Sequence, residues 1–454
     1  MSAPQSQAVG RPECATPSDR SALTKLAAIG GLIAALVVAA PFAFRAGGDN
    51  AYIAVTVVAG ILTCAAAALA RCAQERRVLL LILVLAVAFR GYALFFEPFL
   101  SSDIYRYIWD GTVQADGINP YRFVPADPAI AHLRDEAIYP NINRADYALT
   151  IYPPVAEFFF FLVTRLGTTT LVMRGALLGC EVLSVLLMLM LLRRMQQPLT
   201  GVVAYAWHPL PIWEIANSGH VDALMVALLL LGLWLAMTAR PLRGALSIAL
   251  ASLVKPFAAP ALAAIWRPWD WKMPLVVIAA VAICYLPYIS VGWGVLGFLP
   301  GGYLGEEGFL SGDGFWLLSL WRLGFGTTRY DVACYLALAG ALLLVLALRS
   351  AFCRTRTAGA TLLDVNTLLL ALLLLLSPAY PWYFLMIVPF AAFFGNARTW
   401  AASIGALLLT NETASTTHMP VLIAKSLLFG SVLLCWAWAL WVARRKPSAT
   451  EQAA

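Results

Sequence analysis

The sequence contains few charged residues: only 12% of its 454 residues are Asp, Glu, Lys or Arg, whereas 61% are hydrophobic. A soluble domain has about 25% charged residues. The low charge and the repeated apolar runs of about 20 residues indicate a polytopic α-helical membrane protein. The alternating strands typical of a transmembrane barrel are absent from the sequence. We therefore expect an all-α bundle of roughly 12 to 14 transmembrane helices.

Motifs for several other functions are also missing. The sequence has no glycine-rich phosphate loop and no basic nucleic-acid motif, so we expect no nucleic-acid partner. Its eight cysteines are scattered, and none has the spacing of metal ligands. We predict neither a metal site nor a cofactor.

The positions of Arg and Lys predict the topology, because these residues favour cytoplasmic loops. Residues 1–21 are expected to form a disordered cytoplasmic N-terminus, and residues 444–454 a cytoplasmic tail. Residues 22–443 then form a single transmembrane domain. The polar segment 97–167, which follows the third crossing, is placed outside the cytoplasm.

Apolar runs predict the individual crossings. The first two are expected at 22–44 and 52–70, and later ones include 202–215 and 382–394. The run around Lys255 and Pro256 is better explained by two short half-helices folded as a hairpin, with Lys255 near its outer apex.

The outer segment 98–152 is the polar and aromatic part of an otherwise apolar chain. A long polar loop held by membrane helices is a suitable place for chemistry. It is followed by an apolar run, 152–167, that is too short to cross and is predicted to form an interfacial or re-entrant helix. The loop combines many carboxylates with arginines, which suits an anionic substrate near the lipid headgroups.

Asp103 is the candidate catalytic residue of this loop. A carboxylate just after a crossing lies where a lipid-linked substrate presents its headgroup, and it is able to act as a general base on a sugar hydroxyl. The alternative is that Ser102 or Asp103 only caps the following helix. Asp110 lies about two turns further along and shares a face with Asp103 if the segment is helical. Tyr105 and Arg106 add an aromatic ring and a cation to this candidate substrate site.

Further candidate substrate-binding residues lie in turn motifs and at helix ends. Tyr121 and Arg122 belong to the turn sequence GINPYRF, and Tyr152 to IYPP at the end of the loop. Both motifs are interpreted as architectural, with the two tyrosines as candidate pocket walls. Tyr380 and Tyr383 belong to SPAYPWYF, where an interfacial aromatic belt is the alternative.

Three charged or titratable residues lie in or beside apolar runs. His220 and Asp222 are predicted at the outer end of a crossing, where His contacts a phosphate oxygen or a carboxylate, or simply reaches water. Lys255 is isolated in a long apolar run, so it needs a polar cavity or an anion. We expect it to contact a phosphate, with snorkelling to the interface as the alternative.

Taken in order, these motifs resemble the C class of membrane glycosyltransferases, particularly the bacterial enzymes that use polyprenol-phosphate-mannose. The resemblance covers about residues 89–390. It rests on the ordered motifs SSDIYRY, NPY, YPP, VMRGALLG, GHVDAL, LVKP and SPAYPWY. It implies a GT-C-like bundle with a catalytic first outer loop, Asp103 as the base, and His220, Asp222 and Lys255 near the donor phosphate or the acceptor. The class usually inverts the anomeric centre and often needs no metal.

We therefore predict a hexosyltransferase, with mannose as the preferred sugar, in a bacterial inner membrane with its active site facing outward. Its expected partners are a polyprenyl-phosphate sugar donor, a lipid or glycan acceptor and membrane lipids. A flippase or transporter of the lipid-linked sugar is the alternative, but it needs access from both faces and no general base. A structural assembly subunit leaves Lys255 and the acidic loop unexplained.

Overall fold

The computed structural model describes residues 19–73, 76–353, 357–410 and 419–445. These ranges contain helices, turns and loops but no β-strand. The prediction of an all-α polytopic membrane protein is therefore confirmed. Most of the expected N-terminus and tail, residues 1–21 and 444–454, lies outside the described ranges, and the single-domain assignment of residues 22–443 stays a prediction.

The described helices vary widely in length. The α-helices are α1 (Asp19–Ala70), α2 (Arg76–Leu94), α3 (Asp103–Ala115), α4 (Pro154–Thr164), α5 (Thr170–Arg194), α6 (Val203–Ala206), α7 (Pro209–Pro211), α8 (Asp222–Met237), α9 (Pro241–Ser252), α10 (Ala261–Ile265), α11 (Lys272–Tyr285), α12 (Leu304–Glu306), α13 (Trp316–Phe325), α14 (Asp331–Ala351), α15 (Ala358–Leu376), α16 (Val388–Phe394), α17 (Ala397–Gly405) and α18 (Met419–Arg445). Short 3₁₀ or π segments occur at Pro128–Leu133, Tyr139–Asn141, Leu199–Val202, Ile212–Asn217, Pro256–Ala258, Leu286–Leu296, Leu299–Tyr303, Pro381–Met386 and Ala406–Leu409.

Within the described ranges, seven helical stretches are long and apolar enough to cross a membrane. They are Ser21–Ala70, Arg76–Leu94, Thr170–Arg194, Lys272–Glu306, Asp331–Ala351, Ala358–Leu376 and Val421–Val442. The first stretch contains both of the first two predicted crossings, which α1 joins across a kink at Gly48. Shorter apolar helices accompany the long ones. The figure of roughly 12 to 14 crossings stays a prediction.

Two predicted crossings are broken into short pieces. Residues 202–215 contain the end of a 3₁₀ turn, α6, α7 and the start of a π-helical segment, and residues 382–394 contain a 3₁₀ turn and α16. Prolines are the physical reason, because proline removes a backbone donor and clashes with the preceding turn. Pro209 and Pro211 interrupt the first segment, and Pro389 lies at the start of α16. Such irregular backbone inside a membrane protein is tolerated where it is buried in protein or lines a cavity.

The predicted break at Lys255 is confirmed. The helix α9 ends at Ser252, Lys255 is extended with φ −147° and ψ 135°, and a 3₁₀ turn at Pro256–Ala258 precedes α10. The residue before a proline disfavours the helical conformation, which explains why the break falls at Lys255.

A buried ion pair joins α2 to α5. The Nη2 atom of Arg90 lies 2.7 Å from Oε1 of Glu181, and its Nε lies 3.2 Å from both carboxylate oxygens. The Nη1 atom donates to the carbonyl of Ala206, where α6 ends. The pair therefore holds the broken segment against two long helices.

The outer loop contains α3 and is followed by α4, the helix predicted for residues 152–167. The two helices pack closely, with the rings of Tyr107 and Phe160 stacked at 4.5 Å between centroids. A Cβ atom added at Gly111 would press against the backbone carbonyl of Phe160. Glycine at this position is what permits the close approach, and this approach sets the position of α3 with Asp103 at its start.

Substituting Gly111 by Ala is expected to separate α3 from α4, because the carbonyl of Phe160 belongs to the backbone and cannot rotate away. The expected loss of stability is about 1–3 kcal/mol, typical of overpacking. Thermal unfolding of the purified protein in detergent measures it. The matched control is Gly175→Ala in α5, where an added Cβ meets nothing within 4 Å. Equal stability of the two variants would contradict the close approach.

Candidate active site

A small, partly open pocket lies between the first outer loop and the segment that precedes α12. Its lining comes from the start of α3, from the end of the first outer loop and from the segment that precedes α12. The lining residues are Asp103, Arg106, Asn143, Arg144, Ala148, Leu149, Ile151, Tyr152, Phe298 and Tyr303.

Asp103 is the first residue of α3, and its carboxylate faces this pocket. The side chain is 20% exposed. Asn143 Nδ2 donates to Oδ1 at 3.1 Å, and the Tyr152 hydroxyl lies 3.5 Å from Oδ2. The alternative role in helix capping receives no support, because Ser102 occupies the N-cap position and its side chain makes no capping hydrogen bond.

Arg106 and Asp110 form a buried ion pair along α3. Arg106 Nε lies 2.8 Å from Asp110 Oδ1, and Nη1 donates to the carbonyl of Ala148 at 3.0 Å. The predicted helical relation between Asp103 and Asp110 is confirmed, since both lie in α3. Their surroundings differ: Asp110 is 1% exposed and is paired with a guanidinium, whereas Asp103 lines the pocket.

A second buried carboxyl group, Glu157 of α4, lies beside Asp110. Thr150 Oγ1 donates to Glu157 Oε1 at 2.7 Å, and Gln114 Nε2 donates to Oε2 at 2.9 Å. Burial raises the pKa of Glu157 well above its ordinary value, and the charge of Asp110 raises it further. Burial also raises the pKa of Asp110, against the opposing charge of Arg106. Glu157 therefore retains its proton well above the pH at which an exposed glutamate ionises.

His220 lies behind Asp103, fully buried. Its Nδ1 lies 3.9 Å from Asp103 Oδ2, and its Nε2 lies 3.2 Å from Glu214 Oε2. The imidazole stacks on Trp382 at 4.1 Å between ring centroids. The preceding residue, Gly219, has φ +71°, and a side chain there would press against Ile104 of α3. The turn therefore needs glycine for both its backbone conformation and its close approach to α3.

Lys255 pairs with Asp222 in the same buried region. Its Nζ lies 2.5 Å from Asp222 Oδ2 and 5.1 Å from the ring centroid of Tyr383. The Tyr383 hydroxyl is hydrogen bonded at 2.5 Å to that of Tyr303, which lines the pocket. The carboxylate of Asp222 is therefore the partner of this lysine, and its expected contact with a phosphate stays a prediction.

The remaining predicted residues are not part of the pocket lining. Tyr380 stacks on Trp382 at 4.5 Å between centroids. The buried Tyr121 donates its hydroxyl to the carbonyl of Tyr152 at 2.6 Å and so supports the pocket wall from behind. Tyr105 is half-buried, and the exposed Arg122 lies over the ring of the adjacent Phe123.

Seven of the ten lining residues were not among the predicted site residues, and four of these seven have polar or aromatic side chains. Asn143 and Arg144 belong to the polar outer loop, whose mixture of acids and arginines was the available signal. Phe298 and Tyr303 come from a distant segment between residues 292 and 314, and no local motif relates this segment to Asp103. No group of three or more His, Cys, Asp and Glu side chains in the described ranges is arranged to hold a metal ion.

The fold and the pocket together define a class: a polytopic all-α membrane protein with a carboxylate and two arginines facing one pocket between its polar loops. Residues 21–269 match the family described as alpha-(1->6)-mannopyranosyltransferase, N-terminal domain. The matched region includes α3 and the residues from His220 to Lys255. The chain belongs to this family.

One curated relative has a similar sequence. Alpha-(1->6)-mannopyranosyltransferase A of Mycobacterium tuberculosis (strain ATCC 25618 / H37Rv) is 26% identical over 339 residues, which cover 68% of this chain. The chain spans 64% of the length of that relative. No solved structure matches the chain significantly.

The raised pKa of Glu157 makes the stability of the folded protein depend on pH. Its folded-state pKa is raised above the ordinary value of 4.5. Protonated Glu157 therefore makes its full contribution to the stability of the folded protein below the ordinary pKa, and this contribution is lost as the pH rises through the folded-state pKa. Between about pH 5 and about pH 9, the Tm of the wild type is expected to fall by more than that of Glu157→Gln, which stays neutral. The control is Glu136→Gln at an exposed position of the outer loop. A pH dependence that is the same in all three proteins would contradict the assignment.

Proposed function

We propose that this protein transfers a hexose, preferably mannose, from a polyprenyl-phosphate-linked donor to a hydroxyl group of a lipid or glycan acceptor. Three observations support the proposal. The chain belongs to a mannopyranosyltransferase family, its curated relative bears the same activity in its name, and Asp103 shares a pocket with two arginines. The placement of Asp103 in this pocket carries the proposal.

In the proposed reaction, Asp103 accepts the proton of the acceptor hydroxyl as its oxygen attacks the anomeric carbon. The bond from the anomeric carbon to the phosphate oxygen breaks, and its electron pair leaves with the polyprenyl phosphate on the opposite side. The configuration at the anomeric carbon is therefore inverted. Arg144, which lines the pocket and has a partly exposed carboxylate partner, is proposed to favour the charge that grows on the phosphate, with Arg106 in the same lining and Lys255 as the predicted further contact.

Asp103 suits the role of the base because it is free of a strong cationic partner. Within the described part of the chain, it forms no ion pair with an Arg or Lys, and its neighbours at hydrogen-bonding distance are an amide and a hydroxyl. Asp110 is 1% exposed, pairs with Arg106 and does not line the pocket, so it is not presented to an acceptor hydroxyl there. Asp110 is therefore the poorer candidate.

The reaction is proposed to occur at the outer face of a bacterial inner membrane, with both termini in the cytoplasm. The distribution of Arg and Lys among the loops supports this orientation. It places the pocket where a lipid-linked sugar presents its headgroup, beside the hydrocarbon region that accommodates the polyprenyl chain.

Replacing Asp103 by Asn removes the proposed base at nearly constant shape. With purified protein in lipid, radiolabelled polyprenyl-phosphate-mannose and a membrane extract as acceptor, kcat is expected to fall by about 10²–10⁴-fold. The matched control is Asp116→Asn at the other end of α3. Asp116 contacts His132 on the surface and does not line the pocket. This control is expected to retain wild-type activity.

Transfer at the wild-type rate by Asp103→Asn would disprove the base assignment but leave the proposed activity intact. Transbilayer movement of an unbroken donor by the wild type, without transfer to any acceptor, would instead favour a flippase. The two results are distinguished by following the label and the polyprenyl chain separately.

A further inference from the structure

Arg144 lines the candidate active site while it is bound to a carboxylate from another loop. Its Nε lies 2.5 Å from Oε2 of Glu306, and the Tyr147 hydroxyl donates to Oε1 of Glu306 at 3.0 Å. The side chains of Arg144 and Glu306 are 28% and 31% exposed. Water therefore reaches both members of this pair.

The backbone of Arg144 is held in an uncommon conformation. Its φ is 55°, in the left-handed region that side chains other than glycine rarely adopt. The Ala148 amide donates to the Arg144 carbonyl at 3.0 Å and closes the turn. Residues held in this region cluster at ligand-binding sites, where the surrounding structure imposes the conformation. Here the turn brings the arginine to the wall that also contains Asp103 and Asn143.

The segment that carries Glu306 also covers the pocket. The amide of Phe298 donates to the carbonyl of Thr150 at 3.2 Å, and the ring of Phe298 lies 5.6 Å from that of Tyr147. Phe298 and Tyr303 line the pocket themselves. The carboxylate of Glu306 is therefore delivered by the same segment that forms one wall of the site.

The other cations near the pocket have buried partners. Arg106 is paired with Asp110, which is 1% exposed, and Lys255 is paired with Asp222, which is 0% exposed. Breaking a buried pair leaves an uncompensated charge and is strongly unfavourable. A partly exposed pair is weak and is readily exchanged. Arg144 is thus the cation of the site that can change its anionic partner most easily.

We propose that Glu306 is an internal competitor for the phosphate of the substrate. It occupies Arg144 when no other anion is bound, gives way to the donor phosphate, and returns to help release the product. This inference rests on the proposed function. The donor phosphodiester carries one negative charge, whereas cleavage of its bond to the sugar leaves a phosphate monoester with a charge of about −1.5 to −2. The product therefore binds Arg144 more strongly than the donor does, and the carboxylate of Glu306 opposes that increase.

The test measures binding of a short-chain prenyl monophosphate to the full-length protein in lipid. Glu306→Gln is expected to bind the probe about 1.5- to fivefold more tightly than the wild type, the range expected from loss of a partly exposed ion pair. Arg144→Gln is expected to bind it more weakly. In the Arg144→Gln background, the further change Glu306→Gln is expected to have no effect, because the coupling requires both partners. Glu136→Gln controls for the removal of a negative charge from the outer loops.

Each other outcome overturns the inference in an identifiable way. One such outcome is that the affinity for the prenyl monophosphate rises equally when Glu306→Gln is made with and without Arg144, or rises equally in Glu136→Gln. Either result would show a general effect of charge and not competition at Arg144. Unchanged affinity in Glu306→Gln would show that the carboxylate does not compete. Failure of the wild type and of Glu306→Gln to bind the prenyl phosphate at all would overturn the proposed donor class as well. A parallel titration with inorganic phosphate shows whether the prenyl chain contributes to binding.

Discussion

A charged side chain buried among apolar helices needs a partner of opposite charge, and this constraint determines how the bundle is assembled. The pair Arg90–Glu181 joins α2, α5 and the broken segment after α5. The pair Lys255–Asp222 joins the break after α9 to the start of α8, and the pair Arg106–Asp110 lies within α3 beside the pocket. Each pair neutralises one carboxylate and one cation. Asp103 is the carboxylate that remains at the pocket with neutral donors around it, so the same pairing that stabilises the bundle leaves one base available.

The pocket depends on backbone irregularities that a regular bundle would not provide. Prolines break the segments 202–215 and 382–394, and Pro256 follows the extended Lys255. These breaks place His220, Trp382 and Lys255 behind α3, in the interior of the protein. Close approach at Gly111 and Gly219 then positions the start of α3 against this cluster.

Local sequence rules were sufficient for much of this arrangement. Apolar runs predicted the helical class, the Lys–Pro step predicted the break at Lys255, and the position of Asp103 after a crossing predicted a carboxylate at the pocket. Proline was not predicted to interrupt the helices in 202–215 and 382–394, because each run is apolar enough to be interpreted as a continuous crossing. The partners of Lys255 and Arg144 were not predicted, because each lies far away in the sequence. Asp222 is 33 positions from Lys255, and Glu306 is 162 positions from Arg144, so local spacing contains no information about these contacts.

The role of Asp103 is tested most directly by the structure of the purified protein in lipid with a non-transferable donor analogue, such as a prenyl ester of a sugar phosphonate in which carbon replaces the oxygen between the anomeric carbon and phosphorus. We expect the anomeric carbon beside the Asp103 carboxylate, the phosphonate on Arg144 and the prenyl chain directed toward the lipid. An analogue bound outside this pocket, with Asp103 remote from the anomeric carbon, would show that Asp103 is not the base of a glycosyl transfer.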